Sequence, residues 1–282
     1  MDHVESISAL RKQLATWRQA GERIAFVPTM GNLHAGHLQL VKKAKASAQK
    51  TVVSIFVNPM QFGEGEDFGN YPRTLEQDRV SLMQEGVDLL FVPPVEEIYA
   101  QNLEQTTRVE VPGLSDILCG SHRPGHFVGV TTVVVKLFNM VQPDIAVFGK
   151  KDYQQLFLIK RMVEDLAMPI EIIGVETMRE PSGLAMSSRN GYLTNEEQER
   201  AAGLYASLCH IAAQIKDGEA NFKHLQQQAV IQLKEHGFAP DYVEIRKRED
   251  LSVPTVHNDQ PLVVLAAAQL GAARLIDNLE IV

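Results

Sequence analysis

The chain has 282 residues, of which 45% are hydrophobic, and its 27 basic and 35 acidic residues give a net charge of −8. This length allows one large domain or two moderate ones, and the acidic balance argues against nonspecific binding to nucleic acid. Two distant cysteines, no signal-like leader and no apolar run of the ~20 residues that span a bilayer predict a cytoplasmic protein without a membrane partner.

Hydrophobic periodicity predicts alternating helices and strands up to about residue 176. In chain order, the predicted elements are a helix over 6–20, a strand over 23–27, a helix over 36–49, a strand over 51–57, a helix over 74–85, a strand over 88–92, a helix over 128–141, a strand over 144–148, a helix over 153–166 and a strand over 170–175. The β-branched residues of 128–141 also fit a strand, but its unbroken length favours a buried helix. Residues 58–73 are rich in turn formers and are predicted to be a loop. Such alternation is typical of an α/β fold, a doubly wound parallel sheet with helices on both faces.

After about residue 176 the pattern changes to helices followed by strands. The predicted elements are helices over 195–216 and 222–236 and strands over 242–245, 262–267 and 274–279. We therefore predict two domains, one over residues 1–176 and a smaller α+β domain over residues 177–282. Active sites are common at such domain interfaces.

The most informative motif lies between the first predicted strand and the helix that follows it. His34 and His37 stand three residues apart, so on a helix they share a face. A helix N-terminus attracts phosphate, and Gly36 allows a ligand to approach the backbone closely. Two other interpretations stay open on these residues alone. The motif could be an ordinary polar helix start with Asn32 as its cap, or a metal pair, although zinc usually needs a third ligand.

Four further polar segments fall at strand ends or in loops. Residues 58–62 leave a predicted central strand, where ligands bind in doubly wound sheets, and their amides suit a small polar substrate. Residues 149–152 follow another strand, and a lysine there could neutralise phosphate. The hydroxyls and guanidinium of residues 186–189 suit a triphosphate. Residues 121–127 could form a substrate lid. Taken singly, each segment is equally compatible with a turn, a solvated lysine pair or a polar loop.

Together these motifs resemble the pantoate–β-alanine ligase family of the HxGH nucleotidyltransferase superfamily. The resemblance covers nearly the whole chain, through residues 28–37, 56–62, 71–74, 123–127, 149–155 and 186–194. The His-x-Gly-His element alone indicates only the superfamily, whereas the segments that begin at residues 58 and 149 make the match specific. The second residue of the element, often acidic in relatives, is Ala35. Lys150 is also at a variable position, and Lys151 matches the family's catalytic lysine.

The resemblance implies a Rossmann-like sheet of the HxGH type and an ATP-dependent ligation of pantoate and β-alanine to pantothenate. The reaction would pass through a pantoyl adenylate and release AMP and pyrophosphate. The implied catalytic residues are His34, His37 and Lys151. The implied ATP-binding residues are Met30, Gly31, Asn32, Leu33, His34, Ala35, Gly36, His37, Gly149, Lys150, Lys151, Asp152, Met186, Ser187, Ser188 and Arg189.

The same resemblance implies the remaining ligands and partners. Gln61 and Gln155 would bind pantoate, and Gln61 would also place β-alanine. ATP would be the co-substrate, with Mg²⁺ held mainly by its phosphates rather than by protein ligands. The resemblance also implies a homodimer. Residues 186–189 lie at the predicted domain junction, so the second domain is expected to act as a lid.

Two alternatives remain, one from the same superfamily and one from another functional class. Another HxGH nucleotidyltransferase would form a stable nucleotide product, and a nucleotide-sensing module would bind without catalysis. The full set of charge-stabilising groups argues against simple sensing. A Rossmann dehydrogenase is not expected, because no G-x-G-x-x-G follows the first strand.

Overall fold

The computed structural model describes residues 1–100, 102–255 and 261–281. Contacts within the chain divide it into two compact units, Met1–Glu176 and Thr177–Val282. The elements of the first unit are β1 (Asp2–Val4), α1 (Ile7–Gln19), β2 (Ile24–Thr29), α2 (Ala35–Ser47), β3 (Lys50–Ile55), α3 (Leu75–Gln84), β4 (Leu89–Phe91), α4 (Val95–Ile98), α5 (Cys119–His122), α6 (His126–Val141), β5 (Ile145–Gly149), α7 (Tyr153–Asp165) and β6 (Glu171–Val175). The elements of the second unit are α8 (Asn195–Ala201), α9 (Gly203–Lys216), α10 (Phe222–Glu235), β7 (Ala239–Lys247), β8 (Leu262–Leu270) and β9 (Ala273–Ile281).

The strands of the first unit form a parallel sheet in the order β1-β4-β3-β2-β5-β6, which confirms the predicted doubly wound architecture. From β2 the chain moves outward through β3 to β4, and it returns on the other side of β2 as β5. The winding therefore reverses between β2 and β5. In open α/β sheets, ligands bind at this switch point, beyond the carboxyl ends of the strands.

Strand β2 runs two residues further than predicted, to Pro28 and Thr29. Its paired positions with β5 are Ala25 and Phe26, whereas its pairing with β3 continues to Thr29. Proline cannot donate a backbone hydrogen bond, and it is tolerated where the ladder on one side has ended. β2 and β5 thus part at their carboxyl ends, where the switch point needs an opening.

Helices cover both faces of the sheet. On one face, Val41 of α2 and Leu82 of α3 join a core that includes Val53 of β3. On the other face, Phe138 of α6 packs edge-on against Phe26 of β2, with ring centroids 6.4 Å apart. The segment that fitted either a strand or a helix is therefore the helix α6, as predicted, because its apolar side chains are buried against the sheet. None of the helices in the described ranges combines the length and apolar character needed to cross a membrane.

The second unit has the predicted smaller α+β architecture. Its described strands form an antiparallel sheet in the order β7-β8-β9. Leu208 of α9 and Leu233 of α10 share a core with Val264 of β8. The helix predicted over 195–216 is wrong in one respect, because it is broken between α8 and α9. The apolar spacing continues across this break, so periodicity gave no sign of it.

Candidate active site

Three of the polar segments singled out above follow three adjacent strands. Residues 30–37 follow β2, residues 58–62 follow β3 and residues 149–152 end β5 and begin a 3₁₀ turn. Because these strands are parallel neighbours, their carboxyl ends lie along one edge of the sheet. The fold brings these segments together at the switch point.

A buried carboxylate shapes the loop between β2 and α2. Asp78 of α3 is 2% exposed, and it accepts the backbone N–H groups of Asn32 (2.9 Å) and Leu33 (2.8 Å). Gly31 has a φ of 82°, and a Cβ there would lie 3.0 Å from Ile55 Cγ2 and 3.1 Å from Asp78 Oδ2. The loop therefore needs glycine at this point. The sequence analysis missed Asp78, whose only signal is a carboxylate within an amphipathic helix.

His34, rather than Asn32, caps helix α2. His34 Nδ1 accepts the backbone N–H of Gly36 (3.1 Å), and His37 Nδ1 accepts the backbone N–H of His34 (3.3 Å). A ring nitrogen that accepts a hydrogen bond carries no proton, so each neutral imidazole holds its proton on Nε2. The two rings, with centroids 4.1 Å apart, thus offer a pair of Nε2–H donors. The backbone of the helix start fixes both tautomers.

Burial keeps both imidazoles neutral. It lowers the pKa of His37 to about 3, and repulsion from His34 and Lys151 acts in the same direction. It lowers the pKa of His34 to about 4, where Lys151 lowers it further and Asp152 opposes the change. The electrostatic effects of Lys151 on both rings, and of Asp152 on His34, show that these charges lie near the start of α2. At neutral pH the site therefore holds two uncharged imidazole donors near Lys151.

The two lysines after β5 have different surroundings. Lys150 Nζ forms an ion pair with Glu176, whereas Lys151 is the lysine that influences both histidines. Gln155 lies half-buried in the first turn of α7. Its neighbour Gln154 is buried, and its side chain binds the backbone of residues 114–119. Of the two adjacent glutamines, Gln154 thus has a structural role, because its side chain holds this segment in place.

Gln61 lies in a 3₁₀ turn, Pro59–Gln61, which the predicted loop over 58–73 did not include. Its side-chain Oε1 accepts a hydrogen bond from Asn58 Nδ2 (3.1 Å). Its Nε2 lies 3.3 Å from the sulfur of Met30. The turn after β3 therefore meets the loop after β2 at this glutamine.

The loop over 121–127 supports that turn. His126 Nδ1 donates to the backbone carbonyl of Gln61 (2.8 Å), and its Nε2 accepts from Arg123 (3.0 Å). Burial, and then repulsion from Arg123, lower the pKa of His126 to about 4. Glu66 binds the Arg123 guanidinium at 2.7 and 2.5 Å, and although burial opposes it, this pairing lowers the pKa of Glu66. These contacts explain why one arginine and one histidine occur here.

Residues 186–189 belong to the second unit. The Met186 N–H donates to the carbonyl of Met178 (2.9 Å), which closes a tight hairpin. Ser187 caps the 3₁₀ turn that follows, since its Oγ accepts the N–H of Arg189 (3.2 Å). The segment is thus a capped turn at the end of a hairpin.

An ion pair fastens this hairpin to β9. Arg179 binds both oxygens of Asp277, at 2.6 and 2.8 Å, and donates to the carbonyl of Gly183 (3.1 Å). Its guanidinium carbon lies 3.4 Å from the ring centroid of Tyr205. The Asp277 side chain is 3% exposed, so this ion pair is largely removed from water. The sequence analysis missed both residues, because nothing local connects them.

Comparison with known proteins identifies the family. A family model described as pantoate-beta-alanine ligase matches residues 2–280. The chain belongs to this family. It is 58% identical to the pantothenate synthetase of Shewanella amazonensis over 273 residues, which cover 97% of this chain and 96% of that one.

Solved structures agree with this family. The pantothenate synthetase of Thermus thermophilus has a TM-score of 0.91 at 44% identity and covers 100% of this chain and 99% of its own. A pantoate-beta-alanine ligase from Francisella tularensis, complexed with beta-gamma ATP and beta-alanine, has a TM-score of 0.79 at 35% identity and covers 99% and 97%. The family makes this chain a pantoate–β-alanine ligase and favours that activity over a nucleotidyltransferase with a stable nucleotide product.

Proposed function

We propose that the enzyme joins its substrates in two steps, with ATP as co-substrate. The pantoate carboxylate attacks the α-phosphorus of ATP, which forms pantoyl adenylate and expels pyrophosphate. The amine of β-alanine then attacks the acyl carbon, and the carbon–oxygen bond to AMP breaks as the new carbon–nitrogen bond forms. Direct condensation has a poor leaving group, and adenylation supplies a good one. The Francisella tularensis relative, complexed with beta-gamma ATP and beta-alanine, supports ATP as the co-substrate.

The observation that carries this proposal is the pair of Nε2–H donors on His34 and His37. Charge grows on the α-phosphate and on the departing pyrophosphate during adenylation. Donors oriented in advance by backbone contacts stabilise such charge without reorganising. Lys151 would supply a positive charge to the same phosphates. No nucleophilic side chain is needed, so catalysis rests on positioning and electrostatics.

We propose that the nucleotide occupies the switch point. Met30, Gly31, Asn32, Leu33, Ala35, Gly36, Gly149 and Lys150 would line its site together with the catalytic residues. Asp152 would bind the ribose, and the N-terminus of α2 would face phosphate. Gln61 and Gln155 would hold pantoate, and Gln61 would then place β-alanine. The larger domain, residues 1–176, would thus bind both ATP and pantoate.

Mg²⁺ would enter with ATP, bound to the phosphates. Among the residues that the structure describes, no group of three or more His, Cys, Asp and Glu side chains could hold a metal ion. Magnesium in nucleotide sites is usually held through substrate phosphates. We also propose that Ser187, Ser188 and Arg189 bind the triphosphate when residues 177–282 act as a lid, and that the enzyme is a cytoplasmic homodimer.

A pyrophosphate-release assay tests the two-step reaction. With ATP, Mg²⁺ and pantoate, we expect a burst of about one pyrophosphate per active site, followed by slow release. Addition of β-alanine should start steady turnover, with AMP and pantothenate formed in equal amounts. Pyrophosphate release that requires β-alanine from the first turnover, or formation of ADP, would contradict the adenylate intermediate.

A further inference from the structure

A buried polar chain runs from Tyr99 to Gln61. The Tyr99 hydroxyl donates to Asn58 Oδ1 at 2.7 Å, and Asn58 Nδ2 donates to Gln61 Oε1 at 3.1 Å. Tyr99 is 5% exposed and Asn58 is 1% exposed, so water cannot replace these bonds. Burial also raises the pKa of Tyr99, so the phenol stays protonated and keeps its hydrogen for donation.

Neighbouring backbone groups determine the positions of the oxygen and the nitrogen of the Asn58 side-chain amide. The N–H of Met60 can only donate, and it points to Asn58 Oδ1 at 3.3 Å. The carbonyl of Gly129 can only accept, and it receives Asn58 Nδ2 at 3.1 Å. The Tyr99 hydroxyl therefore meets an oxygen, and Gln61 meets an NH₂ group. The amide of Asn58 has one orientation that satisfies all its neighbours.

Helix α6 approaches the turn so closely that Gly129 has no room for a side chain. A Cβ on Gly129 would lie 2.4 Å from the carbonyl oxygen of Met60 and 2.7 Å from Gln61 Cα. The backbone of the turn is therefore packed directly on the backbone of α6. The orientation of the Asn58 amide therefore determines that of the Gln61 amide. The Gln61 Oε1 faces Asn58, and the Gln61 Nε2 faces Met30.

We propose that Tyr99 is a positioning residue for the ligation. Tyr99 acts through Asn58 to hold the Gln61 amide with its NH₂ group toward the loop after β2. In that orientation Gln61 donates hydrogen bonds and selects an acceptor oxygen of pantoate. The opposite orientation presents a carbonyl, which repels a carboxylate. This inference rests on the proposed role of Gln61 in pantoate binding.

Tyr99→Phe removes the hydroxyl and keeps the ring near Phe56. Loss of one buried hydrogen bond should raise the KM for pantoate about fivefold, while the KM for ATP changes less than twofold. The decisive comparison is with Gln61→Ala, in which Tyr99→Phe should have no further effect on the KM for pantoate. Tyr205→Phe, in the second unit, is the matched control and should leave this KM unchanged.

Each other result overturns the proposal in a different way. An unchanged KM in Tyr99→Phe, beside a raised KM in Gln61→Ala, removes the role of Tyr99 but keeps that of Gln61. An unchanged KM in Gln61→Ala removes both roles. A Tyr99→Phe effect that persists in the Gln61→Ala background shows general damage to the fold.

A measurement without turnover gives a second test. In ¹H–¹⁵N spectra, the side-chain NH₂ signals that disappear in Gln61→Ala belong to Gln61. These signals should shift in Tyr99→Phe and stay in place in Tyr205→Phe. Signals that do not move in Tyr99→Phe overturn the proposal.

Discussion

The two segments proposed to bind the triphosphate are stabilised by different sets of contacts. Residues 30–37 are held by short contacts with backbone N–H groups, which donate to the rings of His34 and His37 and to Asp78. Residues 186–189 follow a hairpin that is fastened by Arg179 and Asp277, which lie 98 residues apart in sequence. The first segment is thus held partly by its own two histidines, whereas the hairpin before the second depends on a distant ion pair.

The two segments therefore differ in whether the residues that support the segment are also the residues proposed to take part in the chemistry. In the first segment the same imidazoles cap the helix through Nδ1 and present Nε2–H to a ligand. In the second segment the supporting pair lies outside residues 186–189. Substitution of the two histidines should therefore affect mainly the rate, whereas substitution of residues that only support a segment should affect stability together with ATP affinity.

The largest expected effect is on the rate of adenylation in His37→Ala. Loss of one donor to transition-state charge should slow this step by about 10²–10³-fold. The lost cap costs about 1 kcal/mol, so the protein should remain folded. Single-turnover formation of pyrophosphate from ATP, with Mg²⁺ and pantoate but no β-alanine, measures the rate. His37→Asn keeps an acceptor for the His34 N–H without the Nε2–H donor, so it should restore stability and leave the rate low. A wild-type rate in either variant contradicts the role given to Nε2–H.

The second largest effect is the loss of protein stability that we expect from Arg179→Met. Removing the arginine leaves the buried Asp277 carboxylate without its cationic partner, which should lower the free energy of unfolding by about 3 kcal/mol. The KM for ATP should rise while single-turnover adenylation at saturating ATP stays near wild type. Urea unfolding and steady-state kinetics measure both. Arg179→Met combined with Asp277→Leu removes the unpaired charge and should recover most of the stability. If it does not, the ion pair is not what the hairpin depends on.

Asp78→Asn should have a smaller effect, and on the first segment. One of its two backbone donors would face an NH₂ group, which should cost about 1–3 kcal/mol and raise the KM for ATP about tenfold. Asp165→Asn changes an exposed carboxylate on α7 and should alter neither value. Equal effects from the two substitutions would show that Asp78 does not hold the loop.

The sequence predicted the parts of this enzyme that have a local signal. Periodicity identified the strands and helices of the sheet, and the His-x-Gly-His spacing located the start of α2. β1 was missed, because three largely exposed residues produce no apolar run. The break between α8 and α9 was missed because the apolar spacing continues across it. Local pattern thus gave the architecture and the chemical groups.

The supports of the site have no local signal. Asp78, Tyr99 and the Arg179–Asp277 pair act on backbone or amides that are distant in sequence, and only folding brings them together. The tautomers of His34 and His37 also depend on contacts that spacing does not reveal. Sequence therefore predicted which groups are present, whereas the structure gives their orientation and charge.

The smallest effect concerns pH and again separates the two segments, because only the first contains histidines. In the unfolded chain histidine takes up a proton near pH 6.5, whereas the folded-state pKa is about 4 for His34 and about 3 for His37. Between about pH 6.5 and 4 the unfolded chain therefore binds more protons, and the free energy of unfolding falls as pH falls. Above that window both states are neutral and this contribution is constant.

His37→Asn removes one of these groups and should reduce the slope of stability against pH within that window by at most about 1.4 kcal/mol per pH unit. Urea unfolding between pH 7.5 and 4.5 measures the slope. His210→Asn, at an exposed position on α9, is the matched control for the substitution itself. An identical slope in wild type and His37→Asn would mean that folding leaves the pKa of His37 near 6.5. Burial would then not keep this imidazole neutral at mildly acidic pH, and the first segment would gain a positive charge there, as the second segment has in Arg189.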